Sequence, residues 1–227
     1  MTRRVLVAAI ALIALVTMLA GLPGGLTAQG KVAKIGLSLP LTGADADGAD
    51  AILKGAQMAI AEINAKGGAG GYKLEAVVFD SATPAAGQYD PAQAATNYKK
   101  FVADALVMAA VGPNMSGEGK AISPILSEAD MATITPSSTN PDITDPKFQS
   151  QYRPKGKAVY FRTVTTDAYQ GPNMANYLFH AQKMKTVYIL DDGGAFGVGI
   201  ADSFQKRATE RVESTRTPSR SNRMAAQ

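Results

Sequence analysis

Residues Val111 to Thr144 read VGPNMSGEGKAISPILSEADMATITPSSTNPDIT. This stretch carries two short hydroxyl-rich loops, Asn114-Met115-Ser116 and Ser137-Ser138-Thr139. Each follows an apolar run of the kind that forms a buried parallel strand: Ala105 to Val111, then Met131 to Thr135. Between them lies a helical segment, Lys120 to Ala129. A strand-helix-strand unit places both loops at the carboxyl edge of one sheet, where open α/β folds bind ligands. Ser116 stands where a helix N-cap belongs, so its hydroxyl and the neighbouring N–H groups can face an anion. The second loop adds three hydroxyls, each able to donate and to accept. Such chemistry suits the carboxylate and ammonium of a free amino acid.

The pattern extends in both directions. Lys34 to Pro40 reads as a strand, and Leu41 to Asp50 as a loop rich in Gly and Asp. Ala51 to Lys66 is an amphipathic helix with Ile52, Ala56, Ala59, Ile60 and Ile63 on one stripe, stopped by Gly67-Gly68. Leu74 to Phe79 is a second strand, and Pro91 to Val102 a helix opened by proline. Asn140 to Lys157 is a polar connection broken by prolines, after which Ala158 to Val164 is extended. Asn173 to Gln182 predicts a helix, Thr186 to Leu190 a buried strand, and Ile200 to Ala208 a further helix after a glycine-rich loop. This alternation predicts an α/β fold with a doubly wound, mainly parallel sheet.

Composition narrows the function. The chain has 227 residues, 46% hydrophobic, with no Cys, no Trp and a single His, His180. Disulfides, thiolate chemistry, a lipidated cysteine and a histidine-rich metal site are excluded, and a catalytic triad has one candidate base. No enzyme, cofactor or metal is expected. Asp45, Asp47 and Asp50 imitate the start of a calcium loop, but Ala56 stands where the closing carboxylate belongs. Gly197-Val198-Gly199 is a partial dinucleotide fingerprint with Asp202 in place of its third glycine. Ser203 and Lys206 have the spacing of penicillin-recognising enzymes without the companion motifs. The formal charge is +4, yet without the terminal segments 17 basic and 18 acidic residues remain. No basic face for nucleic acid follows.

Residues 1–28 read as a secretory signal peptide: Arg3 and Arg4, then an uncharged run from Val5 to Leu22, then Pro23-Gly24-Gly25 and a small-residue site ending at Ala28. That run is also long enough to span a bilayer as a retained anchor; the site that follows it favours cleavage. At the other end, residues 211–227 have almost no aliphatics and alternate Arg with Ser and Thr, a disordered composition.

Residues 31–210 resemble the extracytoplasmic binding proteins of branched-chain amino acid ABC transporters, the leucine/isoleucine/valine type. Ala56 to Gly68 (AQMAIAEINAKGG), Ile134 to Thr139 (ITPSST) and Phe161 to Pro172 (FRTVTTDAYQGP) carry the resemblance, in the family's order. It implies a type I periplasmic-binding-protein lobe at 31–166, an incomplete second α/β lobe at 167–210 and a crossover near Thr165 to Asp167. It also implies a periplasmic, monomeric receptor that closes on a small-molecule amino acid and presents it to the membrane permease of an ABC importer. A ligand-sensing domain of the same fold, and a binding protein for an amide or urea-type solute, are the alternatives. By the same resemblance Ser116 and Thr139 hold the ligand's α-carboxylate and α-ammonium, and the Ser137 carbonyl accepts from the ammonium. Met115 and Ser138 belong to the same turns. Phe196 stands where relatives carry a Tyr that closes over the ligand. Relatives continue beyond the point matching Ala208, so the chain reads as C-terminally truncated or frame-shifted after residue 210, with weak or no amino acid binding and an open, aggregation-prone sheet edge as expectations.

Overall fold

The structure, a computed structural model, describes residues 31–215, with side-chain surroundings up to 210. The expected signal segment and the end of the expected tail lie outside the described residues. Five strands form one sheet in the order β2-β1-β3-β4-β5: β1 Lys31–Leu39, β2 Tyr72–Asp80, β3 Val107–Val111, β4 Ala132–Thr135 and β5 Tyr160–Arg162. β3 runs parallel to β1, β4 to β3, and β5 to β4. The doubly wound α/β architecture is therefore as expected. Helices α1 (Ala46–Ala65), α2 (Pro91–Ala103) and α3 (Ser116–Ala129) fill the crossovers. Beyond β5 come α4 (Asp167–Asn176), a π-helical turn at Tyr177–Ala181, and α5 (Ala195–Thr215).

Local chemistry accounts for the helix ends. Asp90 caps α2, its Oδ1 accepting from Ala92 N at 2.8 Å and Gln93 N at 3.3 Å, with Pro91 in the first turn. α3 ends on Asp130 in the left-handed region, φ 55°. Its start corrects the sequence reading. Met115, not Ser116, is the N-cap, and Glu118 at the third helical position reaches back to accept Met115 N at 3.0 Å. Ser116 is the first helical residue.

One hydrophobic core lies between the sheet and helices α2 and α3. Ala94, Tyr98 and Phe101 of α2 meet Val107 and Ala110 of β3 and Ile122 and Leu126 of α3, with Tyr160 of β5. The opposite sheet face is less covered: Met108 is 63% exposed, Ile134 45% and Phe161 45%. On α1, Ile52, Ala56 and Ile60 are half-buried whereas Ala59 and Ile63 are exposed.

Two further expectations change. Thr186 to Leu190 is not a strand. A strand needs a neighbour to satisfy its alternate N–H and C=O groups, and here the stretch belongs to no strand, with Tyr188 90% and Leu190 86% exposed. α5 also runs through Thr215, so the first residues of the compositionally unstructured tail continue a helix.

Candidate functional site

β1 is flanked by β2 on one side and β3 on the other, so the strand order reverses between β1 and β3. The crevice at their carboxyl ends is the expected ligand position in such a sheet. The turn after β3 enters it through Gly112, whose φ of +120° and 3.1 Å approach to the Ser38 carbonyl oxygen by any added Cβ restrict the position to glycine.

The two hydroxyl turns meet there. Thr135 Oγ1 donates to Pro113 O at 2.6 Å and accepts from Ser138 N at 2.9 Å. Ser137 Oγ lies 2.7 Å from Asn114 O and 2.6 Å from Asn114 Oδ1. Asn140 N donates to Ser116 Oγ at 3.2 Å. The structure thus brings Met115, Ser116, Ser137, Ser138 and Thr139 onto one rim.

Their hydroxyls are not equivalent. Ser138, buried, accepts from the Tyr160 hydroxyl at 2.8 Å, and with Ser137 it knits the turns. Ser116 Oγ accepts the Asn140 N–H and keeps its own proton to give. Thr139 Oγ1 does the reverse, donating to Asp167 Oδ2 at 3.0 Å and keeping its lone pairs. The N–H groups of the first turn of α3 flank Ser116 and add a positive partial charge.

Arg162 holds the second turn from below. Its guanidinium donates to Ser138 O at 2.8 Å, Asn140 O at 2.6 Å and Thr144 Oγ1 at 2.8 Å. Removing it leaves those acceptors without a charged donor. Arg162→Ala should cost about 2 kcal/mol in urea denaturation and speed amide exchange across 138–144; an unchanged midpoint would show the clamp to be idle.

Phe196 is placed differently from the hydroxyls. It lines a groove of about 490 Å³ with Met174, Leu178, Leu190, Ile200 and Phe204. The preceding residue does reach the rim, where Asn140 Nδ2 donates to Ala195 O at 2.8 Å.

Sequence reading missed Tyr89, Asp192, Asn140, Glu118 and Asp167. Tyr89 lies over Gly117, where a Cβ would come within 3.1 Å of the ring, and its hydroxyl faces Gly194. Burial, then the charges of Asp192, Asp45 and Glu118, push its hydroxyl pKa up. The crevice mouth is therefore acidic. Asp45 and Asp192 also hold local backbone, accepting from Tyr89 N at 3.0 Å and Gly194 N at 2.8 Å. The only signal for Asn140 and Glu118 was their place within the 111–144 stretch, and for Asp167 its place within Phe161 to Pro172; Tyr89 and Asp192 gave none.

The sequence profile of the periplasmic binding protein family matches residues 32–216. The chain belongs to the periplasmic binding protein family. The Leu/Ile/Val-binding protein BraC3 of Rhizobium johnstonii is 36% identical over 171 residues, covering 75% of this chain and 42% of that protein. The leucine-specific-binding protein of Salmonella typhimurium is 31% identical over 192 residues, 83% of this chain and 48% of the relative. The branched-chain amino acid transporter substrate-binding protein LivJ of Streptococcus pneumoniae, solved with isoleucine, superposes with a TM-score of 0.65 at 31% identity, over 78% of this chain and 47% of that one. The chain spans somewhat less than half the length of these relatives. No helix among the described residues is long and apolar enough to cross a membrane.

Proposed function

We propose that this chain carries the first-lobe ligand face of an extracytoplasmic solute-binding protein that delivers branched-chain amino acids to an ABC importer. The observation that carries the reading is the opposed pair on the rim: Ser116 with a proton to give beside a helix N-terminus, and Thr139 with lone pairs to offer. A zwitterion lies across such a pair with its carboxylate toward Ser116 and its ammonium toward Thr139. The acidic groups Asp45 and Asp192 beside Tyr89 favour the ammonium end. The names of the relatives support an aliphatic amino acid as the ligand. Ser137 and Ser138 shape the turn, Met115 borders it, and Phe196 supplies apolar cover from the α5 side.

The chemistry is capture and presentation: no bond of the ligand is made or broken, and no nucleic acid takes part. In this reading residues 1–28 direct export and are removed, residues 31–166 form the binding lobe, 167–210 begin the second, and the receptor works as a periplasmic monomer. Isothermal titration tests the proposal. L-Leucine should bind to this chain with a dissociation constant of about 1 mM, worth about −4 kcal/mol, and L-lysine and L-glutamate should give no heat. Equal heats for all three, or none for leucine, would count against the reading.

A further inference from the structure

We propose that Asp167 is a positioning residue: it fixes the hydrogen-bond polarity of Thr139, holding that hydroxyl as an acceptor toward the ligand's ammonium group. The inference rests on the amino acid reading above and adds to it a residue 28 positions away from Thr139 in sequence.

The geometry is closed around Asp167. It is the first residue of α4 and fully buried. Its backbone N–H donates to Thr139 O at 3.1 Å, fixing the two residues against each other. Its Oδ2 takes the Thr139 hydroxyl at 3.0 Å, and its Oδ1 takes Gln170 Nε2 at 3.0 Å. An ionised carboxylate has no proton to give, so the hydroxyl between Thr139 and Asp167 must point at Asp167. Thr139 Oγ1 then faces any further partner with lone pairs only. It suits an ammonium and rejects a carboxylate. Ser116, on the same rim, has the opposite polarity because a backbone N–H points at it. The direction in which a zwitterion lies is thus written into two internal hydrogen bonds.

Protonation of Asp167 would undo this. A carboxyl group can donate to Thr139, turning the threonine proton outward against the ammonium. Burial raises the pKa of Asp167, while Thr139, the guanidinium of Arg162 and Gln170 lower it. Arg162 is the charged group facing it; Asp45, Glu118 and Asp192 act on Tyr89 elsewhere in the crevice. The ionised form is the one that binds leucine. Affinity should therefore fall as pH drops through the folded-state pKa of Asp167.

The test compares L-leucine with 4-methylpentanoate, which has the same carboxylate and side chain but no ammonium. In the unaltered protein, leucine affinity should fall about tenfold for each pH unit below that pKa, whereas 4-methylpentanoate affinity should not fall. Asp167→Asn cannot titrate, so the part of the leucine profile due to Asp167 should vanish, whatever Glu118, Asp45 and Asp192 contribute to both proteins. Thr139→Val should lose most of the preference for leucine over 4-methylpentanoate. Identical pH profiles for the unaltered and Asp167→Asn proteins, or a Thr139→Val variant that prefers leucine as strongly as the unaltered protein does, would overturn the inference. If leucine does not bind at all, the functional reading fails separately, and the hydrogen bond is still decided by carbon-13 titration of the Asp167 carboxyl. Thr139→Val must raise its midpoint by removing the donor; an unmoved midpoint overturns the proposal.

Discussion

Replacing Phe101 by Ala should cost about 3–5 kcal/mol, enough to leave much of the chain unfolded at room temperature. Phe101 is fully buried at the centre of the α2–sheet contact. Its ring stacks on Phe79 with centroids 5.2 Å apart and meets Tyr98 edge-on at 5.3 Å. Beneath it β1 carries Gly36, where a Cβ would come within 2.8 Å of the ring. A glycine on the strand and a large ring on the helix are one packing solution. Removing the ring opens a cavity that Gly36 cannot fill, and the main chain on either side is held by the sheet ladder. Urea denaturation measures the effect as a fall in midpoint at constant slope. A loss below about 1 kcal/mol would mean that α2 repacks freely, contrary to the close packing of Phe101 on Gly36.

Glu118→Gln should stabilise the protein above neutral pH by about 3 kcal/mol and do little below pH 4. Glu118 is fully buried at the start of α3. One carboxyl oxygen accepts Met115 N; the other, Oε1, has no well-directed partner, and neither has the nearby Ser81 hydroxyl. Burial pushes its pKa up to about 7, against smaller lowering by Ser81 and by the Met115 and Asn114 backbone, with Asp45 adding a little in the raising direction. The folded state therefore prefers the protonated acid more than the unfolded chain does. That preference contributes stability in full below the unfolded pKa near 4.5 and loses it as pH rises to about 7. Glutamine keeps the acceptor for Met115 N, gives Ser81 a donor and carries no charge to bury. The difference in unfolding free energy between the two proteins, followed from pH 4 to pH 9, should rise through that window and level off. A difference that stays flat across it would show that Glu118 is ionised in the folded protein at little cost.

The β3-α3-β4 unit was legible because buried parallel strands leave uninterrupted apolar runs, here VMAAV and ATIT. The helix between them was read too short at its start. Ser116, Gly117 and Gly119 resemble loop residues, yet Gly119 is there for packing: a Cβ would come within 2.5 Å of the Tyr160 hydroxyl. α1 likewise begins at Ala46, within a segment whose Gly and Asp residues read as a turn. Val187 to Leu190 has the composition of a buried strand, but composition does not supply the neighbouring strand that pairing requires.

The candidate site was legible in part. Hydroxyls at two strand ends were found because strand-end position follows from periodicity. What each hydroxyl does was not, since donor or acceptor character depends on partners distant in sequence. Asp167 lies 28 residues from Thr139, and Asn140 24 from Ser116. Tyr89 and Asp192 come together only through the fold. The expectation that Phe196 closes over the ligand rested on family position alone; its side chain lines a groove with residues of α4 and α5.

The proposed function requires one rim, built from the turns after β3 and β4, to take the two charged ends of an amino acid. Titrating the isotope-labelled protein with L-leucine and following its backbone amides tests this most directly. Saturable shifts are expected at Met115 to Glu118 and at Ser137 to Asn140, lost in Ser116→Ala and Thr139→Val. Shifts confined to the groove lined by Val187 to Phe204, or none at either turn, would contradict it.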